Sequence, residues 1–352
     1  MLPSTTYRRA AEAEYALGRL DATARQLVAP HGLVRSTQLR DAQSSASLDG
    51  VYLSLKEVLV ADLLTSQDSV RHSDLLRRIT PYLQAYRHGH RCVRAGAAID
   101  AALMSELNGI MTGRTDTLRT DRGVLTNRTA EPYLLTAAGP HLLDRLEQLT
   151  TWAEADTSQP NVAQIAIAHY QLEVLQPFPS ANGHVAREFS MLHLVRRDLL
   201  HDHILPLSVW LDDNLDEYQK QIHAVIDTGE IHRWVEFFST AIRDQANAQL
   251  ALIARLNELA TEFTDRAPTS KVFVQVVNDL LGYPVINHRA IQTRGQVSQK
   301  YATDVARRLI DLNILTNWQS YRYNQVFFCG PVLNLLNMNA GTRADVQRYP
   351  TR

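Results

Sequence analysis

The stretch that most restricts how this chain can fold is Gln176-Pro-Phe-Pro-Ser-Ala-Asn-Gly-His-Val-Ala-Arg187, which separates two strongly helical segments. Residues 162–175 have a helical pattern, and Pro177 must end that helix, because the residue before a proline is pushed out of the α region. Residues 185–200 restart a helix that is largely apolar, with Met191, Leu192, Leu194 and Val195, as expected of a central, mostly buried one. Between them, a turn of small residues and the first helical turn leave several backbone N–H groups unpaired and aimed at one spot. The helix dipole favours negative charge there, and Arg187 can reach back over the first turn. The stretch is suited to holding an anion, with phosphate the natural guest.

Around this turn the chain reads as helices. Apolar spacing predicts them over 7–28, 52–64, 74–91 with a kink or break at Pro81, 96–111, 141–154, 215–227 and 231–259. The first 260 residues therefore form an α-helical domain, interrupted by a polar excursion over 114–127 with a short hairpin expected around Asp121-Arg-Gly123. A chain of 352 residues with 45% hydrophobic and 21% charged residues can bury one large core and a smaller one. No window approaches the roughly 20 apolar residues that cross a bilayer, so a cytoplasmic protein without membrane contact is expected. Two cysteines, Cys92 and Cys329, fit a reducing compartment and support neither a disulfide framework nor a metal site. The net charge of -1 excludes indiscriminate binding of polyanions.

The C-terminal part differs in kind. After a linker at 263–269, helices are expected over 271–281, 287–295 and 298–313, with Ser298 as an N-cap. Residues 314–329 alternate like a hairpin around the polar tip 319–324, and three helices with a hairpin make a winged helix-turn-helix over 270–330, followed by a tail at 331–352. Between 270 and 329 there are seven Lys and Arg against three Asp. Two readings stay open: the third helix contacts DNA through Lys300, Arg307 or Arg308, or the unit packs against protein or mediates a homodimer.

The motif resembles that of Fic proteins, His-Pro-Phe-x-Asp/Glu-Gly-Asn-Gly-Arg-x-x-Arg, and the likeness extends over most of the chain. The helix with His169 and Glu173 looks like the family's lead-in. Arg119 to Leu125, with Val124, sits where the family carries its substrate-aligning flap, and Trp234-Val-Glu-Phe-Phe238 resembles a later family segment. The resemblance implies an all-α Fic-type fold with a small flap and a C-terminal winged helix. The N-terminal helices would occupy 1–110 and the Fic core 111–262. It also implies transfer of AMP from ATP, or of another phosphate-linked group, to a hydroxyl of a target protein. Ligand contacts would come from Phe178, Ser180, Ala181, Asn182, Gly183 and Arg187.

Three positions depart from the motif, and each touches catalysis. Gln176 stands where the family has its proton-accepting histidine, and an amide is no base near pH 7. Ser180 replaces the carboxylate that Mg²⁺ prefers, leaving no protein metal ligand there. His184 replaces a permanently charged arginine by a ring mostly neutral at pH 7. Ordinary AMP transfer is therefore expected to be weak or absent. His169, His193, His201 and His203 read as structural, and Tyr133 or acids on the flap are further candidates for the base. Many Fic proteins also carry an inhibitory Ser/Thr-x-x-x-Glu-Gly/Asn segment whose glutamate pairs with the last motif arginine. Ser45-Ala-Ser-Leu-Asp49-Gly50 has this spacing with Asp for Glu. The plainer alternative is that Asp49 caps the helix starting near Tyr52.

Two functions follow. One is a transferase-like protein that binds a nucleotide or other phosphorylated donor at the Asn182-Gly183 turn and runs an altered group transfer. The other is a non-catalytic descendant acting as a ligand sensor or DNA-binding regulator.

Overall fold

The computed structural model of the chain describes residues 2–27, 30–65, 74–115, 118–126, 132–136, 139–266, 270–317 and 325–337. Among them are fifteen helices and five short strands. No helix of the described residues is long and apolar enough to cross a membrane.

The chain opens with α1 (Ser4–Arg25), which buries Ala10, Ala13, Leu17 and Leu20 at three- and four-residue spacing. Next, α2 (Pro30–Leu48) departs from the sequence reading, because the serine-rich stretch lies within it rather than before the next helix. Serine side chains ordinarily compete with helical backbone, but here tertiary partners take them up: Ser47 Oγ donates to Asp212 Oδ1 at 3.0 Å. The following helix, α3 (Leu55–Thr65), has its own capping box. Ser54 N donates to Glu57 Oε2 at 3.0 Å and Glu57 N to Ser54 Oγ at 3.3 Å, so Asp49 is not its cap. Two further helices follow: α4 (Asp74–Arg94), with Pro81 inside it, and α5 (Ala101–Thr112), capped by Asp100.

The hairpin lies slightly later than expected, as β1 (Val124–Thr126) paired antiparallel with β2 (Pro132–Leu135). Its base is closed by Gly123 N donating to Thr136 Oγ1 at 3.1 Å and Thr136 N to Gly123 O at 2.9 Å. Then come α6 (Pro140–Glu154), α7 (Asn161–Leu175) and α8 (Asn182–Arg196). The last two pack together at the centre, with α4 and α5 against α8. Helix α9 (Leu207–Asp213) has too short an apolar pattern to be anticipated, and α10 (Leu215–Thr228) leads into α11 (Ile231–Asp265). Along α11 lies α1. The fully buried Trp234 donates from Nε1 to Ala166 O at 2.6 Å, which fixes α11 on α7.

The C-terminal unit comprises α12 (Lys271–Gly282), β3 (Val285–Asn287), α13 (His288–Gly295), α14 (Gln299–Asp311), β4 (Thr316–Asn317), β5 (Val326–Phe328) and α15 (Gly330–Asn337). Its antiparallel sheet runs β3-β5-β4, one strand more than the expected hairpin. The polar tip 319–324 and the tail beyond 337 lie outside the described residues. Because α11 runs to Asp265, the expected linker at 263–269 begins inside a helix. The unit also shares one core with α2 and α11. Gly32 and Gly282 touch backbone to backbone, so that a Cβ on Gly282 would lie 2.2 Å from Gly32 Cα.

Candidate anion site at the start of helix α8

The turn into α8 is fixed by side chains that the resemblance assigns to the ligand or the flap. Helix α7 ends at Gln176, whose backbone is left-handed with φ 48°. Its last carbonyls are satisfied by Arg119, which donates from Nε to Gln176 O at 2.5 Å and from Nη2 to Leu175 O at 2.9 Å. A cation at a helix C-terminus also meets the negative end of the dipole. Through Thr136 Oγ1 and Asp121 O, the same guanidinium holds the flap, so Arg119 is a brace between flap and motif.

Phe178 is 1% exposed and sits in the apolar core, so it anchors the turn instead of lining the site. Asn182 closes the turn on itself. Its Oδ1 accepts from Phe178 N at 2.9 Å and its Nδ2 donates to Phe178 O at 2.8 Å. Ala181 adopts the left-handed conformation with φ 61°. Asn108 Nδ2 donates to Ser180 O at 2.9 Å. The amides of Asn182, Gly183 and His184 are those that a helix start leaves without an intrahelical acceptor.

These residues border a cavity of about 680 Å³ that Gln176, Ser180, Glu173, Leu125 of the flap and Arg187 also line. Beside it, Val124 pairs with Leu135 on the flap, and both are exposed, at 48% and 61%.

The far side of the cradle is closed by the end of α2. Gly50 N donates to Ser47 O at 2.9 Å and Val51 N to Ala46 O at 2.8 Å, with Gly50 at φ 82°. This is a Schellman ending, in which only glycine adopts the left-handed conformation without strain. Asp49 is therefore the C-cap residue just after α2, and its carboxylate meets the motif. Its Oδ2 lies 2.7 Å from His184 Nε2 and 3.4 Å from Arg187 Nη2. Ser45, one helical turn earlier, accepts from Arg187 Nε at 2.8 Å and lies 2.7 Å from His184 Nδ1. Arg187 Nη2 also donates to Ser45 O at 3.1 Å. At Gly183, a Cβ would come within 2.9 Å of Arg187 Nη1. Tyr82 of α4 stacks on the His184 ring, with centroids 3.7 Å apart.

Residues 7–91, which carry most of α1, all of α2 and α3, and most of α4, match the Fic/DOC family N-terminal model. The crystal structure of a Fic family protein from Desulfovibrio desulfuricans G20 aligns over 94% of this chain and 97% of that one, with a TM-score of 0.59 and 16% identity. This chain has the Fic fold. Fic-1 from C. elegans aligns over 70% of this chain and 73% of that one, with a TM-score of 0.50 and 15% identity. Because the Desulfovibrio protein spans nearly all of this chain, the shared architecture takes in most of the C-terminal unit as well.

Within this Fic fold the charges around the turn are coupled. Burial pushes the Asp49 carboxyl up, but the Arg187 charge and His184 outweigh it and hold the carboxyl at about 2. The His184 imidazole is pushed down chiefly by burial and further by Arg187, against the pull of Asp49, so the ring is neutral at pH 7. Arg187, the permanent cation of the motif, thus already faces a carboxylate.

Of the other histidines, His223 of α10 lines the same cavity, whereas His169, His193, His201 and His203 do not. His193 is buried and held down at about 3 by burial and by Arg197 and Arg196. His203 pairs with Asp41 at 3.1 Å, and His201 with Asp21 at 3.3 Å. The side chain of Tyr133 lies outside the described residues.

No carboxylate stands at position 180, and among the described residues the acids lining the cavity are Asp49 and Glu173. Asp49 is taken up by Arg187 and His184. Among the described residues, no group of three or more His, Cys, Asp or Glu could hold a metal ion. The residues present do not fit the motif-bound Mg²⁺ that the family resemblance implies. Two contributors had no sequence signal of their own: Tyr82, which stacks on His184, and Tyr218, which reaches the site from α10.

Proposed function

We propose that this Fic-fold protein binds a phosphate-bearing donor, ATP or another phosphorylated molecule, against the amides at the start of α8 and Arg187. In this reading it passes a phosphate-linked group to a hydroxyl presented along the flap. Transfer of AMP by the histidine- and Mg²⁺-dependent route is weak or absent. The observation that supports it most is the state of the turn. Asn182 staples it to Phe178, Arg119 braces it, and Gly183 leaves room for Arg187, so the anion cradle is intact although the base position holds Gln176. Asp49 acts in this reading as an internal counter-ion that an incoming phosphate must displace.

Calorimetry with ATP tests this. Arg187→Ala removes a charged hydrogen-bond donor worth about 1.5–3 kcal/mol, so affinity should fall about 10- to 100-fold. Absence of binding of ATP and of simpler phosphates such as pyrophosphate would refute the reading.

A second reading is supported by α14, whose Lys300, Arg307 and Arg308 are exposed on a unit that resembles a winged helix. Arg307 is partly engaged by Asp304 at 3.3 Å. Contact with DNA through this face would make the protein a regulator that senses a ligand in the cradle. Binding to duplex DNA should then weaken steeply with salt, and Lys300→Ala should lower the affinity and make the salt dependence shallower. Salt-insensitive or absent binding would remove this reading.

A further inference from the structure

The Fic-fold cradle lacks a proton acceptor at Gln176, yet a second carboxyl lines the same cavity and the transfer reading has left it unused. Glu173 stands one turn before the end of α7 and is 9% exposed. Tyr218 of α10 donates from its hydroxyl to Glu173 Oε1 at 3.0 Å. Tyr218 is joined in turn to His169 Nε2 at 2.8 Å, and His169 Nδ1 to Ser190 Oγ at 2.8 Å. A continuous hydrogen-bonded chain thus runs from the cavity wall into the core, with a carboxyl at its open end. Gln176 is tied to the same residue, since its Nε2 donates to Glu173 O at 3.1 Å.

We propose that Glu173 is the proton acceptor of this site, oriented by Tyr218, and that it takes over the task Gln176 cannot perform. The inference rests on the donor-binding reading above. In the step, the acceptor's O–H bond breaks and its proton passes to Glu173. Because Tyr218 holds Oε1, Oε2 is the oxygen that receives it. The acceptor oxygen forms a bond to the transferred phosphorus, and the bond from phosphorus to the leaving phosphate breaks, its electron pair departing with that group. When water is the acceptor, ATP would give AMP and pyrophosphate by the same proton transfer.

The surroundings raise the affinity of this carboxyl for a proton. Burial pushes the Glu173 carboxyl up, Asp49 adds to this, and Arg187 and the Tyr218 hydrogen bond oppose it. His169, on the same helix, is held down at about 3 by burial and by Arg187, and therefore stays neutral beside the carboxyl. Tyr218 keeps its proton, its hydroxyl being pushed well above the ordinary range by burial and Glu173.

The test uses the full chain with α-labelled ATP and Mg²⁺, following both AMP formation and label on protein from about pH 5 to about pH 9. The wild type and Asp49→Ala are compared with Glu173→Gln, Tyr218→Phe and the double variant Glu173→Gln/Gln176→His. Glu173→Gln keeps an acceptor for Tyr218 and should keep ATP binding, while turnover falls about 100- to 10,000-fold. The rising acid limb of the pH profile should disappear with it. Tyr218→Phe should retain that limb, moved to higher pH, because the hydrogen bond that steadies the carboxylate is gone; this variant decides the matter if Glu173→Gln does not fold. Adding Gln176→His should restore turnover to Glu173→Gln. Turnover and acid limb unchanged in Glu173→Gln would overturn the assignment of Glu173 and leave donor binding standing. No product from wild type or Asp49→Ala would overturn the transfer reading and the assignment together.

Discussion

Replacing Asp49 by Asn keeps the size of the side chain and removes its charge, which separates two consequences of the contact with Arg187. In the folded chain the carboxyl is held at about 2, against an ordinary value of about 3.9. Taken at face value, that shift corresponds to roughly 2.5 kcal/mol. The side chain is 36% exposed, however, so water screens the pair. Exposed ion pairs contribute up to about 1 kcal/mol, and that sets the scale for this one.

The two expected effects have opposite signs. Stability falls by about 1 kcal/mol, which lowers Tm by about 2 °C in a chain of this size. An arriving phosphate no longer has to displace a carboxylate, so affinity for ATP or pyrophosphate rises about 5-fold. The pH dependence follows from a depressed carboxyl. The contribution is complete above the ordinary carboxylate value and is lost as pH falls through about 2. The Tm gap between wild type and variant should therefore close between about pH 4 and about pH 2. Differential scanning calorimetry over this range and titration calorimetry at pH 7 read both effects. An Asp49→Asn variant with unchanged Tm and no gain in anion affinity would refute the view that Asp49 competes with the ligand for Arg187.

Two further substitutions probe the turn. Ala181→Gly should relieve left-handed backbone strain of about 1 kcal/mol or more, partly offset by about 0.5–1 kcal/mol of lost chain entropy. A small rise in Tm with undiminished ATP binding is expected, and a clear fall would argue against strain at this position. Arg119→Ala leaves Leu175 O and Gln176 O without their donor at about 1–3 kcal/mol each. It should lower Tm and weaken ATP binding together, and hydrogen exchange should rise at the C-terminal end of α7. Loss of ATP binding with unchanged Tm would instead assign Arg119 to the ligand.

The helical architecture was legible because its signals are local: apolar spacing, Pro177 before a break, and the cap at Ser298; the cap at Asp100 was missed, and the helix expected from 96 starts at Ala101. The anion turn was legible for the same reason, since a proline, small residues and a restarting helix form one continuous stretch. Tertiary contact decided what was misread. The serines of α2 favour a loop by local propensity, and only partners far along the chain, Asp212 and Arg187 among them, stabilise a helix there. Asp49-Gly50 resembles a helix start as readily as a helix end, and the left-handed glycine decides between them. Phe178, Asn182 and Arg119 lie in or near the motif but hold the cradle from behind, a distinction that spacing cannot draw. Tyr82 and Tyr218 reach the site from distant helices with no pattern of their own.

The contact between Gly32 and Gly282 bears on how far the chain is modular. Domains are commonly joined by exposed linkers across which few contacts run. Here α2 meets α12 with no side chain between the two backbones, and Phe273, Val276, Val277 and Leu280 share one core with Leu33, Leu256 and Phe263. Lys56 of α3 covers the Phe328 ring at 4.1 Å. Cutting the chain after α11 would uncover an apolar face on α2, the helix that Asp49 follows. The C-terminal unit is thus structural flooring for the N-terminal helices.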